Sequence, residues 1–202
     1  MSKQVYISAD YNESSGDRNV VDLLNSWGSD NKHKVDFVDM AAVISGSVAK
    51  DSDCRPCDLK QEFNRQINAS SAVIFVVGDK TATRSAGSVC PRSSQGYQVS
   101  SGCTPYKQNT NGTKSCKVGS TVSAGDDVGS INTYSYLKHE FLQAVKRCKT
   151  IIVVYNSLQK QSTWLPSYMS EYEDEALPFW KKDALGNKTG NYEFIKTALG
   201  YE

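Results

Sequence analysis

No stretch of this 202-residue chain approaches the ~18 consecutive apolar residues of a membrane-spanning helix. The opening residues Met1 to Tyr11 also lack the apolar centre of a secretion signal. Both absences point to a cytoplasmic protein with no membrane partner. Cysteine is sparse: six in 202 residues is far too few for a disulfide scaffold, and cytosolic thiols normally stay reduced. Histidine is scarcer still, with only His33 and His139. Cys54 and Cys57 form a Cys-x-x-Cys pair, but no second such pair completes a zinc site, so no metal is expected. A thioredoxin-like role for the pair is not supported either, because no buried strand runs into it. Neither sign of charge dominates. Lys plus Arg is 23 and Asp plus Glu is 22, which argues against nucleic-acid binding by bulk charge. Gly-x-Ser-x-Gly, Gly-x-Gly-x-x-Gly and P-loop patterns are all missing. These absences remove the serine hydrolases, Rossmann dehydrogenases and P-loop triphosphatases.

Large apolar residues are missing from one long region. Residues 80–132 contain no Leu, Phe, Met or Trp, yet hold seven of the 14 glycines. Such a segment cannot supply a packed core and reads as a long polar insertion. The expected organisation is one domain over 1–202, interrupted by this insertion.

Outside it, strand and helix patterns alternate. Strands are predicted at 5–8, 35–39, 72–77 and 151–155. Residues 72–77 and 151–155 are apolar throughout, as in strands buried on both faces, and should be central. Val20, Val21, Leu23, Leu24 and Trp27 share a helix face, with Ser15 or Asp17 as its cap. Leu59, Phe63 and Ile67 mark a second helix. Leu137, Phe141, Val145 and Cys148 mark a third, and Tyr192, Ile195 and Leu199 a closing one. Alternation of this kind gives an α/β fold with a parallel sheet and helices on both faces, in the flavodoxin-like order 2-1-3-4-5.

Ligands of such sheets bind beyond the carboxyl ends of the strands. Those ends here carry Ser8, Asp10 and Tyr11, then Asp39, then Gly78 and Thr81, then Asn156. They are small, polar and acidic, which suits a hydroxyl-rich ligand. Glu140 lies early in the third helix beside its apolar stripe. A helical Glu in that position is ordinarily solvated and paired with a neighbour such as Gln143 or Arg147.

The opening Val5-Tyr-Ile-Ser8-Ala-Asp-Tyr11, the segment Ser71 to Thr81 and the segment Tyr136 to Val154 resemble successive motifs of the TIR-like domain family, in its MTH-type branch. The resemblance implies the flavodoxin-like fold. It also implies cleavage of NAD, with Glu140 matching the glutamate essential in catalytic TIR domains. Tyr136 occupies the region where that family often has Trp or Cys. NAD is then a substrate, and no cofactor is implied. Ser8, Asp10, Tyr11, Asp39 and Thr81 are the rim residues expected to position the dinucleotide. Relatives include the signalling subunit of the Thoeris antiphage system, which implies an ADP-ribose-derived messenger. The implied partners are an effector protein that senses the product, a phage-derived trigger, and further copies of the chain. The alternative reading is a non-catalytic TIR-like interaction module, in which Glu140 is merely structural.

Overall fold

The computed structural model describes residues 3–10, 16–30, 35–39, 55–84, 107–108, 114–115 and 135–201. Five parallel strands form the main sheet: β1 (Lys3–Ser8), β2 (Val35–Asp39), β3 (Ala72–Val77), β6 (Thr150–Tyr155) and the two-residue β7 (Leu177–Pro178). Their order is β2-β1-β3-β6-β7, which is the flavodoxin-like arrangement expected. Two antiparallel pairs stand apart from it. One is β4 (Lys107–Gln108) with β5 (Lys114–Ser115); the other is β8 (Trp180–Lys182) with β9 (Lys188–Gly190).

The apolar runs sit inside the sheet because both of their faces are covered. Alternate residues of β3 divide between two cores. Ala72, Ile74 and Val76 pack with Val5, Ile7, Ile152 and Val154 against the helices α1 (Asp17–Ser29) and α4 (Tyr192–Ala198). Val73, Phe75 and Val77 pack with Tyr6, Val153 and Tyr155 against α2 (Arg55–Ala69) and α3 (Tyr136–Lys146). Each fully buried large side chain of this kind contributes roughly 1.5–3 kcal/mol. Period-two alternation on β1 therefore turns Val5 and Ile7 to one helical layer and Tyr6 to the other.

Two local expectations are corrected. The first helix has Gly16 at its N-cap, so Asp17 is not the cap, and Ser15 lies outside the described residues. Gly16 takes φ 71°, a left-handed value that glycine adopts at little cost. Asp17 is already inside the helix and turned inward, 1 % exposed. The second helix begins at Arg55, so Pro56 and Cys57 lie in its first turn. Proline is tolerated there because first-turn N–H groups have no intrahelical partner. In α3, Leu137 and Phe141 are buried as expected, but Val145 is 43 % exposed and Cys148 is exposed after the helix end. The inward stripe is Leu137, Glu140, Phe141 and Ala144, with i, i+3, i+4, i+7 spacing.

Most of the polar region 80–132 lies outside the described residues, as do Cys54, Cys90, Cys103 and Cys116. Among the described residues, no helix is long and apolar enough to cross a membrane.

Candidate active site

Glu140 is the fifth residue of α3. Ser135 starts the helix by accepting a hydrogen bond from the Lys138 backbone N–H at 3.1 Å, a side-chain cap that fixes the first turn. Two cross-links hold α3 beside α2. Nε2 of His139 meets Oδ1 of Asn64 at 2.9 Å, and Nε2 of Gln143 donates to Oδ1 of Asn68 at 2.9 Å. With its neighbours so engaged, Glu140 turns to the sheet and is only 5 % exposed. It is not the solvated residue that its sequence neighbours suggest, and Gln143 is committed to Asn68.

Two hydroxyls of β1 meet the carboxylate. Tyr6 donates to Oε1 at 2.5 Å, and Ser8 donates to Oε2. Tyr6 and Ser8 are two residues apart on one strand and so share a face. Burial pushes the Glu140 carboxyl up to about 7, against the pull of the Ser8 and Tyr6 hydrogen bonds, which favour the ionised form. Tyr168 completes the surroundings from the 3-10 segment Ser167–Tyr172. Its ring lies 5.5 Å from that of Phe141, with the Lys138 ammonium 5.4 Å from its centre. Burial pushes its phenol up to about 12, and the negative charge of Glu140 acts in the same direction. A dry carboxylate ringed by hydroxyls stabilises positive charge that develops beside it.

The other rim residues have separate arrangements. Asp10, just beyond β1, pairs with Nε of Arg84 at 2.9 Å, joining the loops that leave β1 and β3. Thr81 is buried and accepts from the Gly78 backbone N–H at 2.8 Å, which shapes the turn after β3. Its hydroxyl is thus engaged in folding the rim. Asp39 ends β2 at the same edge of the sheet. Tyr11 and the side chain of Asp39 lie outside the described residues. The structure therefore brings Ser8 and Glu140 together and joins Asp10 to the loop after β3.

Sequence reading missed Tyr6, Tyr168 and a polar relay in the α1 layer. In that relay Trp180 Nε1 donates to Asn156 Oδ1 at 2.8 Å, and Asn156 Nδ2 donates to Asp17 Oδ1 at 2.9 Å. Gly78 lies against Asp17 so closely that a β-carbon there would fall 2.6 Å from Oδ1. Tyr6 could have been found from its i, i−2 relation to Ser8. Tyr168 carries no comparable local signal. A separate open groove of about 630 Å³ runs along Leu158, Leu177, Pro178 and Trp180. Glu140 does not line it.

A search of curated proteins finds none that matches this chain. Residues 6–86 match a family model described as Thoeris protein ThsB, TIR-like domain. The span takes in Tyr6, Ser8, Asp10 and Thr81 and ends before Glu140. The TIR-like resemblance drawn from the strand motifs is thus borne out, and over residues 6–86 the chain matches the TIR-like domain of Thoeris protein ThsB.

Proposed function

We propose that this protein consumes NAD, breaking the bond between nicotinamide and ribose to make an ADP-ribose-derived signal in antiphage defence. The observation that carries the reading is the Glu140 carboxylate, buried in the inward stripe of α3 and held by Ser8 at the carboxyl end of β1.

Nicotinamide in NAD is a cationic leaving group, so it departs with the bonding electron pair and needs no general acid. The ribose carbon it leaves becomes oxocarbenium-like, as in glycoside cleavage. Glu140 in its ionised form offsets that charge and accepts hydrogen bonds from ribose hydroxyls. Water attacking the same carbon yields ADP-ribose and releases a proton. A hydroxyl or ring nitrogen attacking in its place yields a cyclic or conjugated product. Asp10, Tyr11, Asp39 and Thr81 are proposed to shape or line the rim that receives the dinucleotide. The partners proposed are a phage-derived trigger, an effector that senses the product, and other copies of the chain.

The test is to incubate the purified chain with NAD, with and without lysate of phage-infected cells, and to follow nicotinamide by chromatography and the nucleotide product by mass spectrometry. Release of one nicotinamide per nucleotide product formed is expected. Intact NAD under every trigger, together with tight binding of a partner protein, would favour the interaction-module reading.

A further inference from the structure

Tyr6 has 0 % exposure, and its ring belongs to the apolar cluster that includes Phe63, Val73 and Phe141. From within that layer its hydroxyl donates to Glu140 Oε1. Ser8, the last residue of β1, donates to Oε2 where the rim begins. The two hydroxyls thus divide the carboxylate, one oxygen each. Only Ser8 stands at the strand end, where a ligand of the rim would arrive. Of the other groups around Glu140, Tyr168 approaches from the 3-10 segment, His139 is turned to Asn64 of α2, and Lys138 lies over the Tyr168 ring.

We infer that Tyr6 is a positioning residue: its hydroxyl fixes Oε1 of Glu140, so that Oε2 is the oxygen that exchanges Ser8 for a ribose hydroxyl. This rests on the proposed reading of Glu140 as the NAD-cleaving carboxylate. The physical reason is a division of labour. A carboxylate free to turn would meet the ribose with either oxygen. One pinned by a donor that the substrate cannot displace presents a single oxygen in a fixed direction. The same donor opposes the tendency of burial to neutralise the acid. Loss of the Tyr6 hydroxyl leaves the carboxyl in equally dry surroundings with one donor fewer.

The experiment uses the full chain carrying Tyr6→Phe, which keeps the ring and removes only the hydroxyl. The Glu140 carboxyl is followed by carbon-13 NMR, its resonance identified by its absence in Glu140→Gln. Its midpoint, about 7 in the unaltered protein, should rise by about one to two pH units, since a hydrogen bond to a charged group shifts an equilibrium by roughly that much. Under triggering conditions kcat at pH 7 should fall about fivefold to fiftyfold, with KM for NAD little changed and much of the loss regained at pH 9. Ser8→Ala should act chiefly on KM. Where Tyr6→Phe does not fold, 3-fluorotyrosine at position 6, a more acidic donor, should lower the midpoint. A midpoint that neither change moves, or a Tyr6→Phe loss equal at every pH, would overturn the inference. Failure of the unaltered protein to cleave NAD would remove the reading of function, while the NMR midpoint would still decide whether Tyr6 governs Glu140.

Discussion

Replacing Glu140 by Gln should make the protein more stable at alkaline pH and change the pH dependence of its unfolding. The ordinary Glu value is 4.5, and burial raises the folded-state value to about 7. A group raised on folding contributes most below its unfolded pKa, and the contribution disappears as pH rises through the folded pKa. Below pH 4.5 the carboxyl is neutral in both states. Between pH 4.5 and about 7 the unfolded chain ionises while the folded chain holds its proton, and stability falls. The gap between 4.5 and about 7, at about 1.36 kcal/mol per pH unit, corresponds to about 3 kcal/mol. For a chain of this length that amounts to roughly 6–12 °C in Tm. Gln does not titrate, so its protein lacks this slope. Urea unfolding of both proteins at pH 4, 6 and 8 measures the difference directly. The stability of Glu140→Gln relative to the unaltered protein should rise by about 3 kcal/mol from pH 4 to pH 8. A difference that stays flat across that range would refute the claim that Glu140 is buried as a strained acid.

Other outcomes follow from the packing of the rim. Gly78→Ala would drive a β-carbon to 2.6 Å from Asp17 Oδ1, so a loss of about 1–3 kcal/mol in urea unfolding is expected. Asn156→Leu removes the acceptor for Trp180 Nε1 and a donor to Asp17. Leaving those two buried groups without Asn156 should cost about 1–3 kcal/mol and alter the Trp fluorescence of the folded state. Ser135→Ala removes the cap of α3 and should cost about 1 kcal/mol, measurable as a lowered Tm.

The sheet was legible because its central strands are covered on both faces, which writes them as unbroken apolar runs at 72–77 and near 151–155. The edge strand β2 betrayed itself by Asp36 and Asp39 among apolar neighbours. The short β7 was not legible, since two residues give no period. The inward face of α3 was misjudged for a physical reason. Val145 and Cys148 look apolar, and Glu140 looks polar, so hydropathy alone rotates the helix away from its true orientation. Glu140 occupies a core position because Tyr6 and Ser8 on the facing strand supply donors that no local pattern announces. The Asn156 relay was hidden likewise, as its partners lie 139 and 24 residues away.

The central claim is that Glu140 is the carboxylate that cleaves NAD. Its most direct test is the rate of nicotinamide release by the unaltered protein and by Glu140→Gln, at pH 8 under the same trigger, with Tm confirming that both are folded. Loss of one preorganised electrostatic contact costs on the order of a hundredfold to a thousandfold in rate, so Glu140→Gln should release nicotinamide at most at about a hundredth of the unaltered rate. Equal rates from the two proteins would contradict the account.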